Sequence, residues 1–187
     1  RFINSLLFGA NTFLLGCIGW RMTKSKLAGI LLALLFLVNA SLFRIHTAAM
    51  SEPLYIFFSL VSFLLFDYYF KSQSKRWLIL TGCFVGMAYL TRYAGLALLA
   101  TFLVALILLR ETWRSRLSRS LIFIASALPW IAAWAVRNKL AADNATNRTL
   151  VYHPLTAENI QIGIYNFSEF LVLVEAYGLR AAVGGDP

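Results

Sequence analysis

The chain has 187 residues, 60% of them hydrophobic and 13% charged, with a formal net charge of +9; soluble domains are roughly 45–50% apolar. So apolar a chain cannot be disordered, and two cysteines, Cys17 and Cys83, each inside an apolar run, do not make a disulfide scaffold. The basic residues stand in short clusters between long apolar runs, with no basic face bearing interleaved aromatics, so no nucleic-acid partner is expected.

What remains is an all-α, polytopic transmembrane helical bundle. The chain opens at Arg1 without a methionine, and it reads as a piece of a longer protein. Six apolar segments follow in order, at residues 2–20, 27–43, 54–70, 77–91, 93–109 and 121–136. Each is near the ~20 residues that cross ~30 Å of hydrocarbon. Lipid cannot satisfy an open strand edge, so the spans must be helices. The fourth and fifth are separated by Arg92 alone, and fused they would reach about 50 Å. A turn at 91–95 is therefore expected.

The loops at 21–26, 71–76 and 110–120 carry Arg21, Lys24, Lys26, Lys71, Lys75, Arg76, Arg110, Arg114, Arg116 and Arg119. They alternate with connections that hold only Arg44 and Arg92. The positive-inside bias places the basic loops in the cytoplasm and the tail after Val136 outside. One competing reading exists: Leu14-Leu15-Gly16-Cys17 loosely imitates a lipoprotein signal, but its basic n-region is a single arginine.

Within the spans, Gly82 and Gly86 form a GxxxG step for close helix packing. Asp67 precedes Lys71 by four residues, the spacing of a helical ion pair. Pro129 should kink the sixth span, with Trp130 and Trp134 toward the outer interface. Residues 1–136 thus read as the transmembrane region and 137–187 as an extracytoplasmic segment. In that segment Ile160, Ile162 and Ile164 alternate as in a strand. Asn166 with Glu169 resembles a helix start, leading into an amphipathic surface helix through Phe170 and Tyr177. Asn144, Asn147 and Asn166 match the glycan acceptor triplet, which is common by chance.

No Walker loop, HExxH, GxSxG or paired CxxC is present. Chemistry is expected at the outer rim, in Arg44-Ile45-His46-Thr47-Ala48-Ala49-Met50-Ser51-Glu52-Pro53 and in Thr91-Arg92-Tyr93. Arg44 and Arg92 stand on the side that topology disfavours, where a guanidinium can bind a lipid-linked phosphate in bidentate fashion or simply anchor a helix end. Glu52 caps a helix or holds a sugar hydroxyl or cation. His46 and Tyr93 complete the substrate-binding candidates, and His153 is a weaker one.

Three segments carry a family resemblance: Met50-Ser51-Glu52-Pro53-Leu54, Tyr89-Leu90-Thr91-Arg92-Tyr93-Ala94-Gly95-Leu96 and Leu128-Pro129-Trp130. Over residues 2–154 the chain resembles the GT-C membrane glycosyltransferases, in the branch related to protein O-mannosyltransferases and aminoarabinose transferases. The resemblance implies an integral protein of the cytoplasmic membrane, a polyprenyl-phosphate sugar donor and transfer on the non-cytoplasmic face. Many relatives have Lys where this chain has Arg92. The family's catalytic aspartate lies in the first outer loop, whereas no acidic residue here precedes Glu52. The expectation is that this loop lies upstream, that the catalytic residue is outside the sequence, and that the piece alone is inactive. Its partners are then membrane lipid, the lipid-linked donor and the missing parts of the same chain. No cofactor is assigned, a divalent metal being left open. The rival reading is a fragment of a transporter or permease, which would place ionisable groups near the bilayer midplane rather than at the rim.

Overall fold

The computed structural model describes residues 2–47, 51–109, 112–142 and 156–171. The chain divides into two compact units, Arg1–Asn147 and Arg148–Pro187. In the first, the described residues form α1 (Phe2–Thr23), α2 (Lys26–Val38), α3 (Ala40–Thr47), α4 (Glu52–Ser72), α5 (Lys75–Thr91), α6 (Gly95–Leu108) and α7 (Trp113–Ala142). A single described helix, α8 (Ala157–Leu171), belongs to the second. The all-helical bundle is as expected, and no strand occurs among the described residues.

The six expected spans do not all appear as membrane-length helices among the described residues. Among the described residues only α1, α4 and α7 are long and apolar enough to cross a membrane singly. The second expected span is broken, with α2 and α3 meeting at 62°. Asn39 is the cause: its backbone is extended at φ −72° and ψ 108°, and its side-chain oxygen accepts the Leu42 N–H at 2.9 Å. An asparagine that caps the following helix in this way ends the preceding one. Helices α5 and α6 have 17 and 14 residues. They are joined by the expected turn, with Arg92 extended and α6 starting at Gly95.

Helix α7 is longer than its apolar stretch. It takes in Arg114, Arg116 and Arg119, expected in a loop, and runs beyond Val136 to Ala142, with Pro129 inside. The alternating strand expected around Ile160 is instead part of α8. Thr156 starts that helix: its Oγ1 accepts the Asn159 N–H at 3.3 Å and its carbonyl the Ile160 N–H at 3.0 Å. Glu158 in the first turn suits the helix dipole. Asn166 therefore lies inside a helix already begun rather than at its start. The candidate glycan sites at Asn144 and Asn147, His153, and the expected helix beyond Leu171 lie outside the described residues.

The core sits among α4, α5, α6 and α7, where Phe66, Tyr69, Leu78, Val85, Ala88, Phe102, Leu106 and Phe123 are buried. Large apolar side chains also cover the outside, among them Phe13, Leu35 and Leu121 at 71%, 62% and 57% exposure. That inverts the usual economy of a soluble domain and fits hydrocarbon as solvent. Buried hydroxyls turn back on their own helix: Ser62 donates to the Phe58 carbonyl at 2.7 Å and Thr81 to that of Trp77 at 2.8 Å.

Glycines set two close crossings. A Cβ on Gly82 would stand 2.6 Å from the Phe123 carbonyl oxygen, and one on Gly86 would stand 2.8 Å from the Trp130 Cβ. The GxxxG step thus seats α5 directly on α7. A Cβ on Gly29 of α2 would meet the Gly16 carbonyl oxygen of α1 at 2.6 Å.

The helices alternate in direction, so charge separates by end. One end carries Arg21, Lys24, Lys26, Lys71, Lys75, Arg76, Arg114, Arg116 and Arg119 among the described residues. There Asp67 accepts from Lys71 at 3.0 Å, the expected pair, and also from Arg21 Nε of α1 at 2.7 Å. The Arg21 guanidinium lies 4.0 Å from the centre of the Tyr68 ring. The other end carries Arg44, Glu52, Arg92, Arg137 and Lys139.

The close crossing of α5 on α7 is testable. Gly86→Leu should cost about 1–3 kcal/mol of stability, read by unfolding of the purified protein in detergent. Gly9→Ala, where an added Cβ meets nothing within 4 Å, should change it by less than about 1 kcal/mol. Equal stability of the two variants would contradict the crossing.

Candidate functional site

At the less basic end, the first turn of α4 faces the turn between α5 and α6. Ser51 precedes α4 in a helical conformation (φ −84°, ψ −10°) and makes no side-chain cap. Its carbonyl accepts the Tyr55 N–H at 3.1 Å. Pro53 sits in the first turn, where a missing N–H is tolerated. Glu52 is thereby released from capping and points across to the neighbouring turn.

That turn is built around a tight approach. Arg92 closes α5 in an extended conformation (φ −152°, ψ 142°), donating its N–H to the Ala88 carbonyl at 3.0 Å. Its own carbonyl accepts from Gly95 N at 2.9 Å. A Cβ on Gly95 would come within 2.5 Å of the Tyr89 Cα and 2.9 Å of the Ala88 carbonyl carbon. Only glycine lets the chain double back so closely.

The outcome is an ion pair between residues 40 positions apart: Arg92 Nη1 donates to Glu52 Oε1 at 2.5 Å. The side chains are 44% and 23% exposed. So exposed a pair adds about 0–1 kcal/mol of stability at most. Its main effect is geometric, fixing a guanidinium at a rim with few other cations.

Tyr93 follows Arg92 and is half-buried. Its ring meets that of Tyr89 edge-on at 5.7 Å, and its hydroxyl accepts a long 3.5 Å bond from Trp134 Nε1 of α7. The Arg137 guanidinium stands 5.0 Å from the Trp134 ring centre. Trp134 and Arg137 thus join the ledge beside Arg92, which the sequence reading did not foresee for Arg137. The i, i+3 spacing of Trp134 and Arg137 on a helix was the available signal.

His46 and Arg44 take different places. His46 is 3% exposed, enclosed by the rings of Phe8 and Phe36 at 5.0 and 5.7 Å. Its Nδ1 lies 2.7 Å from the Leu42 carbonyl oxygen, and its Nε2 lies 3.0 Å from Asn11 Nδ2. A carbonyl only accepts, so Nδ1 carries the hydrogen and Nε2 receives the one from Asn11. Asn11, fully buried, also donates to the Pro53 carbonyl at 3.0 Å. The pair is a tie between α1, α3 and the first turn of α4 rather than part of the rim. Arg44 is exposed on α3, and its side chain makes no ion pair among the described residues. The structure therefore brings Glu52 and Arg92 together, with Tyr93 next to Arg92 in the turn, while His46 is buried in its own tie and Arg44 makes no ion pair among the described residues. Among the described residues no group of three His, Cys, Asp or Glu side chains is placed to hold a metal ion.

The protein family described as dolichyl-phosphate-mannose-protein mannosyltransferase matches the chain over residues 1–141. No curated protein and no solved structure matches it. The matched stretch takes in Glu52, Arg92, Tyr93 and Trp134.

The Asn11–His46 tie predicts a coupled pair. Asn11→Leu or His46→Leu alone should cost about 1–3 kcal/mol, because each leaves a buried polar partner unsatisfied. The double variant should cost at least ~0.5 kcal/mol less than the sum, measured by denaturant unfolding in micelles. Arg44→Ala should stay within ~0.5 kcal/mol of wild type.

Proposed function

Because the chain belongs to the dolichyl-phosphate-mannose-protein mannosyltransferase family, a family of membrane glycosyltransferases, we propose that it is the donor-binding part of an enzyme that moves a sugar from a polyprenyl-phosphate carrier to an acceptor on the non-cytoplasmic face. The observation that carries this reading is the Glu52–Arg92 pair at the end of the bundle with few other cations. Sugar transfer from such a donor breaks the bond between the anomeric carbon and a phosphate oxygen, leaving negative charge on the phosphate. A guanidinium held in place before the charge appears stabilises it without reorganising. In this reading Arg92 is that group, and Glu52 orients it while the second carboxylate oxygen receives a sugar hydroxyl. Tyr93 and Trp134 form the ledge beside the sugar. Arg44, on a separate helix, offers a second cation to the carrier phosphate. The base that takes the acceptor proton is assigned by the resemblance to an aspartate of an outer loop, and Glu52, already engaged, does not take that part.

A transporter would share one feature, the broken α2–α3 pair. The buried polar groups against α3, Asn11 and His46, bond to each other, and the family membership favours transfer chemistry.

In the full-length protein, Arg92→Ala should lower sugar transfer from a lipid-linked donor about 10²–10³-fold, with Arg92→Lys intermediate. Glu52→Gln should lower it about tenfold or more. Wild-type rates in both Arg92→Ala and Glu52→Gln would remove the assignment. Sidedness has its own check. Cysteines placed at Thr47 should react with an impermeant reagent added from the non-cytoplasmic side, and those at Ser74 or Ser115 should react only after the membrane is opened. The reverse pattern would invert the site.

A further inference from the structure

Away from the rim, α1 and α2 border an open groove of about 410 Å³. Its walls are Thr12, Phe13, Cys17, Trp20, Ile30 and Ala33, and Gly16 and Gly29 form its floor. The glycines help to shape it: the helix backbones nearly touch there, and neither glycine contributes a side chain to the lining. The lining is almost wholly apolar and includes one charged residue. Lys26, the first residue of α2, closes the groove at the basic end, is exposed, and makes no ion pair among the described residues. Lys24 stands two residues away.

We propose that this groove holds one acyl chain of an anionic phospholipid of the leaflet at the basic end, with the phosphate on Lys26. Three features select that occupant. The groove follows α1 from Thr12 to Trp20, eight steps or about 12 Å, close to the ~15 Å half-thickness of one hydrocarbon leaflet. Between its ends the groove offers almost only hydrocarbon, the surface an acyl chain matches. The charge lies only at the end where headgroups sit, where a lysine stem runs along apolar surface and its ammonium reaches the phosphate. The site is at the opposite end of the bundle from Glu52 and Arg92, and it does not depend on the catalytic reading.

The test uses the full-length protein in nanodiscs of phosphatidylcholine containing phosphatidylglycerol, with retained lipid counted by native mass spectrometry after release. Wild type should retain phosphatidylglycerol in preference to phosphatidylcholine. Lys26→Gln should weaken phosphatidylglycerol retention about fivefold and leave phosphatidylcholine unchanged. Ile30→Trp, which fills the groove from an exposed wall position, should lower retention of both lipids. Gly9→Ala serves as the control for folding and should retain lipid as wild type does. Equal retention of the two lipids by wild type, or unchanged retention in both variants, would overturn the proposal. So would oxidative cross-linking of Cys17 to a second protein chain in the same nanodiscs, which would show that protein rather than lipid covers the groove.

Discussion

The seating of α5 directly on the backbone of α7 governs the rest of the bundle. In hydrocarbon, helices gain nothing from hiding apolar surface that lipid solvates equally well, so close backbone approach has to supply the attraction. Gly82 and Gly86 permit that approach, and the other side of α5 meets α4 through the ring contacts of Trp77 with Tyr68 and Phe84 with Phe58. Because α5 is held on both sides, its last residue arrives at a fixed height beside the first turn of α4. The meeting of Arg92 with Glu52 is a result of that packing. An ion pair so exposed has little power to pull two helices together.

The same logic separates what stabilises from what is available for chemistry. The tie of Asn11 to His46 and Pro53 is buried and has almost all its hydrogen bonds made, apart from the Asn11 side-chain oxygen, which has no partner among the described residues. Breaking it leaves polar atoms without water. The Glu52–Arg92 pair lies partly in solvent and its members can exchange partners at small cost. A ligand-binding rim needs the second kind of contact, and a helix junction needs the first. Both are anchored on the same turn of α4, so the buried tie fixes the frame in which the exposed pair works.

How far the sequence discloses this depends on the separation of the partners. The all-helical class follows from apolar runs and the impossibility of bare strand edges in lipid. The Asp67–Lys71 pair is local and legible from spacing alone, whereas Arg21, which joins the same carboxylate, lies 46 residues away and is not. The rim was readable as a place, since Arg44, Glu52 and Arg92 occupy connections where cations are uncommon. Which of them meet was not readable, because it depends on how α4 and α5 pack. His46 misleads for a related reason: a histidine near a helix end looks available until Asn11, 35 positions earlier, is found against it. Asn39 carried a readable signal of another sort. A capping residue inside a long apolar run is a reason to divide the run. Around Ile160, a short alternation had no partner strand, and the local start at Thr156 prevailed.

The helices of this bundle differ greatly in length. Helix α7 with 30 residues measures about 45 Å, and α6 with 14 residues about 21 Å. A bilayer core of ~30 Å matches neither. The excess of α7 lies in its charged ends, which suit the headgroup layers, whereas α6 is apolar throughout and falls short of the hydrocarbon. Each ångström of such mismatch costs only a fraction of a kcal/mol. Beside α6 that shortfall favours a locally thinner bilayer, since the lipid can yield more cheaply than the helix can lengthen.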